Sequence, residues 1–204
     1  MTFADRAINY FSKLKTPNVN FDDVQILNPF QNLDVIESVK MFYKKFYDDN
    51  NERIYVFGIN YGRFGGGLTG ISFTDPVALE KLCGIENNFG HIRELSSKFI
   101  YQVIENYGGV KKFFSKIYLT ALLPFAILKS EKNYNYYDNK SLSESLKIEI
   151  VNSIKSQIKF GARKDSVIIL GKKNAYYFLE LNKQLQIFNK VVILDHPRYV
   201  MQYK

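Results

Sequence analysis

Four short apolar runs, separated by segments with helical periodicity, constrain the fold more than any other feature of this sequence. The runs lie at residues 53–58, 117–123, 166–170 and 191–194. An almost continuous apolar run of this length is typical of a strand that is buried on both faces of a parallel sheet. Strands of this kind that alternate with helices predict an α/β fold, a three-layer α/β/α sandwich with a central, mainly parallel four-stranded sheet.

The segments around these runs carry the patterns of amphipathic helices. Apolar residues at helical spacing predict helices over residues 4–15, 34–47, 95–107 and 176–188. Asp75, which is followed by proline, predicts the N-cap of a short helix that ends by Gly84. Ser141 and Glu144 predict a capping box at the start of a further helix, which ends at Gly161.

Length and composition indicate one folded domain, which we expect to span residues 1–204. Its 28 basic and 20 acidic residues give a net charge of +8, which favours a polyanionic partner. Cys83 is the only cysteine, which excludes an internal disulfide and any zinc or iron–sulfur site held by several thiolates. No apolar run has the length of a membrane span, and the first residues do not resemble a signal peptide. We therefore expect a cytoplasmic protein with no membrane partner.

Two segments at the predicted carboxyl ends of strands have unusual sequences, and ligands bind at that edge of a parallel α/β sheet. The glycine loop, residues 58–73, lets a ligand approach backbone N–H groups closely, although it lacks the spacing of dinucleotide- and triphosphate-binding loops. The histidine segment, residues 195–204, places His196 just past a buried strand. The alternatives to a binding site are a plain connecting turn and a structural histidine.

These two segments carry a resemblance to a known family. The stretch Gly58-Ile59-Asn60-Tyr61-Gly62-Arg63-Phe64-Gly65, with Thr69-Gly70-Ile71-Ser72-Phe73 after it, resembles the first motif of single-strand-selective monofunctional uracil-DNA glycosylases. The stretch His196-Pro197-Arg198-Tyr199 resembles the second motif of their bacterial branch. The similarity runs from about Asn28 to the C-terminus and includes residues 133–138. It implies a DNA repair enzyme that hydrolyses the N-glycosidic bond of uracil, or of a related deaminated base, as a monomer without metal or cofactor.

The resemblance also implies roles for individual residues. Asn60 would position the attacking water, and His196 would hydrogen-bond the O2 oxygen of the departing base. The residues expected to bind the base are Gly58, Ile59, Gly62, Phe73, which would stack on the flipped ring, and Thr120. Those expected to contact DNA are Arg63, Lys172, Lys173 and Asn174 in the loop after the third strand, Arg198, and Tyr199, Val200 and Met201 as a wedge.

The sequence departs from the family pattern at three places. Tyr61 stands where the family usually has proline, so the turn beside Asn60 loses a rigid φ angle. Ala121 stands where the vertebrate branch has an asparagine that reads the edge of uracil, which leaves this task to Thr120 or to backbone groups. Few residues remain for the helix that the family has after the second motif. A catalytically weak or inactive relative is therefore an alternative.

Two readings from other functional classes also stay open. One is a non-catalytic nucleic-acid or nucleotide-binding protein that uses the same pocket, with salt-sensitive binding and no loss of the base. The other is a different α/β enzyme in which His196 is a general acid or base acting on a small phosphorylated ligand. A contact of Asp75 with His196, with Asn60 turned away, would favour this last reading.

Overall fold

The computed structural model describes residues 1–21 and 23–204. Over these residues the strands are β1 (Val24–Leu27), β2 (Arg53–Tyr61), β3 (Ile117–Lys129), β4 (Lys132–Tyr134), β5 (Ala162–Leu170) and β6 (Lys190–Leu194). The helices are α1 (Phe3–Phe11), α2 (Leu33–Tyr47), α3 (Gly66–Thr69), α4 (Pro76–Lys81), α5 (Leu95–Tyr107), α6 (Val110–Phe114), α7 (Lys140–Gln157), α8 (Lys172–Leu185) and α9 (Pro197–Tyr203), with 3-10 turns at Pro29–Gln31 and Ile158–Phe160. Within the described ranges, no helix combines the length and the apolar character that crossing a membrane requires.

The strands form one mixed sheet in the order β1-β3-β2-β5-β6, with β4 also paired to β3. Strands β3, β2, β5 and β6 run parallel, and they are the four strands predicted from the apolar runs. Strands β1 and β4 were not predicted, and both pair antiparallel with the last residues of β3. Helices cover both faces of the sheet, so the predicted α/β/α sandwich with a mainly parallel sheet is confirmed.

The strand predicted from the apolar run at residues 117–123 is longer than predicted, because β3 continues past Pro124 to Lys129. Pro124 lies where the pairing with β2 changes register: Asn60 pairs with Leu123, whereas Tyr61 pairs with Ala126. A bulge of this kind tolerates proline, which has no N–H to donate to the sheet. The continuation carries β3 past the end of β2, where it turns into β4 and brings the following residues over Asn60.

Two predicted helix starts and two predicted ends are also wrong, including the end of α8, which lies at Leu185 and not at residue 188. Helix α7 begins at Lys140 because the Asn139 side chain caps it, accepting from the Leu142 N–H at 3.0 Å, so there is no capping box at Ser141 and Glu144. Helix α1 ends at Phe11, before the predicted end. Helix α8 begins directly after β5 at Lys172, so the predicted loop after the third strand is the first turn of this helix.

The buried side chains form one cluster that is rich in aromatic rings. At its centre, Phe3 stacks on Tyr47 with 5.1 Å between the ring centroids. Arg53, the first residue of β2, is fully buried, with its guanidinium carbon 4.9 Å and 4.8 Å from the centroids of these two rings, and it forms an ion pair with Asp49. A buried cation requires such a partner. The cluster thus anchors the amino end of β2, opposite the end that carries the glycine loop.

Candidate active site

A cavity of about 330 Å³ lies at the carboxyl ends of the central strands. Residues 58–62 of the glycine loop form one part of its wall, and Phe73, His196 and Arg198 form another. Its volume is at the small end of the range for small-molecule sites. The two segments that were singled out in the sequence, although far apart along the chain, therefore meet at one cavity.

The Asn60 carboxamide lines this cavity and is held by three hydrogen bonds. Its Nδ2 donates to the carbonyl oxygens of Tyr134 at 3.1 Å and Tyr61 at 3.3 Å. Its Oδ1 accepts from the backbone N–H of Tyr136 at 3.2 Å. Because the amide donates at one end and accepts at the other, these bonds fix its orientation, and Oδ1 keeps a second lone pair for a water molecule. From the sequence, residues 133–138 were noted only as part of the similarity to the family, and their contact with Asn60 was not predicted.

The side chain of Tyr61, a residue of the cavity wall, is buried in the core. Its side chain is 4% exposed, and its hydroxyl donates to the Gly70 carbonyl at 3.3 Å. The ring lies 2.8 Å from the position that a Cβ would take at Gly66, so only glycine fits there. These contacts tie two parts of the glycine loop together. The loop is thus restrained by the tyrosine side chain, where a proline would act through a fixed φ angle.

His196 follows β6 and caps α9, with its Nδ1 accepting from the Arg198 N–H at 3.3 Å. Burial lowers the pKa of His196 to about 4, and the positive charge of Arg198 adds to the effect. The ring is therefore neutral at neutral pH. A neutral imidazole that accepts at Nδ1 carries its proton on Nε2. His196 consequently brings an N–H donor, and not a cation, to the cavity.

Phe73 lines the cavity with its ring centroid 6.1 Å from that of His196, at an interplanar angle of 46°. The ring packs on Gly58, where the position of an added Cβ would lie 2.6 Å from the Phe73 Cζ. The backbone of Phe73 has φ of +55°, a conformation that phenylalanine rarely adopts. Such strain costs about 1–3 kcal/mol and is concentrated at functional sites. It therefore supports a functional role for this ring.

Thr120 does not reach the cavity. Its side chain is 1% exposed and donates to the Gln157 Oε1 on α7, whereas its neighbour Ala121 lines the cavity. Successive side chains of a strand point to opposite faces, so the two cannot both face the site. The prediction that the Thr120 side chain binds the base is therefore wrong.

Asn174 was predicted to contact DNA but is an internal residue of α8. It is fully buried, accepts from the Tyr136 hydroxyl at 2.9 Å and donates to the Leu170 carbonyl at 3.3 Å. Its side chain therefore cannot reach a phosphate, and that prediction is wrong. The bond to Tyr136 instead supports the residue whose N–H holds Asn60.

The remaining residues predicted to contact DNA are at least partly exposed: Arg63, Lys172, Lys173, Arg198, Tyr199, Val200 and Met201. Arg198 and Tyr199 line the mouth of the cavity on α9, whereas Val200 and Met201 on the same helix do not line it. Lys173 lies over the Tyr137 ring, which also lines the cavity, with its Nζ 4.7 Å from the ring centroid. Two cations from different helices, Arg198 and Lys173, thus lie at or beside residues that line the cavity, and a phosphate-binding surface requires such cations.

Glu94 and Ser72 are two of the polar residues of the cavity that were not recognised as site residues from the sequence. Glu94 immediately precedes α5, and burial together with the Asp75 carboxylate raises its pKa to about 7, although Arg198 acts in the opposite direction. The Ser72 Oγ is buried and has no hydrogen-bond partner in the described part of the chain. Ser72 lies inside the quoted first motif, whereas no local pattern marks Glu94, which only the packing of α5 brings here.

Asp75 does not contact His196. Its Oδ1 caps α4 as predicted, accepting from the Ala78 N–H at 2.8 Å, and its Oδ2 accepts from the Glu94 N–H at 3.0 Å. Both oxygens are therefore occupied, and Asn60 faces the cavity. The reading in which Asp75 and His196 form an acid–base pair finds no support in this geometry.

Both the sequence and the fold of this chain are similar to those of one protein family. Residues 44–204 match the model described as the uracil DNA glycosylase superfamily. The fold is similar to the crystal structure of wild-type SMUG2 from Pedobacter heparinus, with a TM-score of 0.95 and 38% sequence identity over 100% of this chain and 90% of that one. No curated protein matches the chain.

Proposed function

The chain belongs to the uracil-DNA glycosylase superfamily, and from this premise we propose that it hydrolyses the N-glycosidic bond of uracil, or of a related deaminated base, in DNA. The observation that carries the proposal is the convergence of Asn60 and His196 on one cavity. We also propose that it acts as a monomer and in the cytoplasm.

The base must leave the double helix, or come from a single strand, before it can enter a cavity of this size. The Phe73 ring then stacks on it, an interaction worth about 1–3 kcal/mol. Backbone N–H groups around Ile59 and Gly62 meet the pyrimidine edge, and Gly58 lets Phe73 lie close to the strand. Tyr199, which lines the cavity from α9, would occupy the gap that the base leaves in the stack.

Cleavage of the bond leaves an oxocarbenium-like sugar and a uracil anion. The N–H at Nε2 of the neutral His196 donates to the O2 oxygen, where the negative charge develops. The free lone pair of the Asn60 Oδ1 accepts a hydrogen bond from the attacking water and directs it to the sugar carbon. An amide is too weak a base to remove the proton early, so its contribution is the positioning of this water.

The test is incubation with single-stranded and duplex oligonucleotides that contain one uracil, followed by hot alkali to cleave abasic sites. We expect strand scission with the wild-type protein and none with Asn60→Ala or His196→Ala. Asn106→Ala and His91→Ala remove the same side chains from exposed positions and should leave scission unchanged. DNA that stays intact with the wild-type protein would refute the proposal.

A second candidate function rests on Ala121, which gives the cavity wall a methyl group where the vertebrate branch has an asparagine. A wall with fewer polar groups favours a relative that binds nucleic acid without releasing a base. Its signature would be DNA retention that weakens steeply with salt and leaves no abasic product.

A further inference from the structure

Several polar side chains around the cavity are already committed to internal hydrogen bonds. The three bonds of Asn60 leave a single lone pair, Asn133 accepts from the Arg63 N–H at 2.9 Å, and Asn135 donates to Asp138 at 2.9 Å. A base buried here brings its own donors and acceptors, which cost free energy if they remain unpaired. The Glu94 carboxyl group is one of the cavity groups that still has free hydrogen-bonding positions. It can therefore pair with the donors and acceptors of the base.

The position of Glu94 is fixed by its backbone. Its N–H donates to the Asp75 Oδ2 at 3.0 Å, at the start of α5, and this directs the side chain over the glycine loop. One carboxyl oxygen lies 2.0 Å from the position that a Cβ would take at Gly62, and the other lies at the same distance from that position at Gly65. Two glycines of the loop thus leave the space that this carboxyl group fills.

A purely structural role explains Glu94 poorly. In the described part of the chain, no side-chain or backbone group lies within hydrogen-bond distance of its carboxyl oxygens in a suitable geometry. Partial removal of a carboxyl group from water without such a partner costs free energy of folding. A ligand that supplies the missing partner would give this carboxyl group a function, and the group lines the cavity in which we place the base.

We propose that the Glu94 carboxyl group reads the hydrogen-bonding edge of the flipped base, acting as a neutral acid that donates and accepts at once. This inference rests on the proposed function. A neutral carboxyl group presents one O–H donor and one carbonyl acceptor, the same pair that a carboxamide presents. The pair complements the adjacent C=O and N–H groups of uracil, whereas Ala121 offers the base neither.

The electrostatic surroundings favour the neutral acid. Burial, followed by the Asp75 carboxylate, raises the pKa of Glu94 to about 7, against the opposing charge of Arg198 on α9. His196 also faces the cavity, but its pKa is lowered to about 4, so it does not titrate in the same range. The proportion of neutral Glu94 therefore falls from about nine-tenths at pH 6 to about one-tenth at pH 8.

The test compares single-turnover uracil release from a single-stranded oligonucleotide between pH 6 and 8 for four proteins. We expect release by the wild type to fall about tenfold over this range, in proportion to the neutral acid. Glu94→Gln, which keeps a donor and an acceptor, should remove this fall, and Glu94→Ala should release uracil about 10- to 100-fold more slowly than the wild type at pH 6. Glu105→Gln, the same change at an exposed position of α5, should behave as the wild type.

A profile of Glu94→Gln that matches the wild type overturns the inference, and so does full activity of Glu94→Ala. No release by the wild type at any pH refutes the proposed function instead. Melting temperatures then test the neutral acid separately. Because the folded pKa is raised, the folded protein binds more protons than the unfolded chain between about pH 4.5 and 7, so the wild type loses stability relative to Glu94→Gln as pH rises through this range. A constant difference in melting temperature would overturn the inference even without activity data.

Discussion

The substitution Gly58→Ala tests whether the position of the Phe73 ring matters for activity. An alanine Cβ at this site would lie 2.6 Å from Cζ and 2.8 Å from Cε2 of Phe73. Ordinary contacts between carbon atoms lie at about 3.5–4.0 Å, so the ring must recede by roughly 1 Å. The strand cannot move away instead, because the Thr120 carbonyl oxygen already lies 3.4 Å from the same Cβ position.

The magnitude follows from this displacement. Inserting a methyl group into a packed site costs about 1–3 kcal/mol of folding stability. Loss of the stacked geometry removes up to about 1–3 kcal/mol of binding to the base, which corresponds to roughly a 5- to 150-fold slower release. We therefore expect Gly58→Ala to lower both the melting temperature and the single-turnover rate of uracil release.

The double variant Gly58→Ala/Phe73→Leu separates the two effects. The smaller leucine makes room for the new methyl group, so the melting temperature should recover relative to Gly58→Ala, whereas release should stay slow because no ring is left to stack. Phe73→Leu alone completes the cycle and gives the coupling between the two sites. Release by Gly58→Ala at the wild-type rate would refute the reasoning, because the ring would then be displaced without consequence.

Three further predictions concern the surroundings of Asn60 and His196, the proposed catalytic pair. Tyr136→Phe leaves the buried Asn174 oxygen without its donor and should lower stability by about 1–3 kcal/mol, as measured by denaturant unfolding. Lys173→Ala should weaken DNA binding and reduce the dependence of the binding constant on salt concentration by about one counterion. Asn174→Ala should lower stability and leave this salt dependence unchanged. Equal salt dependence for Lys173→Ala and the wild type would contradict the prediction that Lys173 contacts a phosphate. The pKa of His196 is lowered in the fold, so the unfolded chain binds more protons between about pH 4 and 6.5, and the wild type should lose stability relative to His196→Asn as pH falls through this range, as melting temperatures would show.

The sequence predicts the four parallel strands because each is a continuous apolar run, and such runs arise where both faces of a strand are buried. Strands β1 and β4 escape this criterion, since β1 is only partly buried and β4 has three residues, of which Lys132 and Asn133 are exposed. Strands of three or four residues, such as these, are too short to form a long apolar run. The full length of β3 could not be predicted, because Pro124 lies at a bulge and no local sequence pattern indicates a bulge there.

The meeting of Asn60 and His196 could be expected, since each follows a parallel strand and the carboxyl ends of such strands share one edge. The choice between Thr120 and Ala121 could not, because a strand buried on both faces has no alternating pattern to show which residues point to which side. Glu94 is positioned by a hydrogen bond to Asp75, and this tertiary contact leaves no mark in the sequence around either residue.

The groups that orient Asn60 from the β3–β4 region are the Tyr134 carbonyl oxygen and the Tyr136 N–H, both atoms of the main chain. Exchanging one side chain for another at residue 134 leaves its carbonyl in place, and at residue 136 only proline would delete the donor. Amino-acid substitutions in this hairpin are therefore a poor guide to loss of activity among related chains. An insertion or deletion in the hairpin would move these two main-chain atoms away from the Asn60 amide. Activity would then be lost although the glycine loop and the histidine segment kept their sequences.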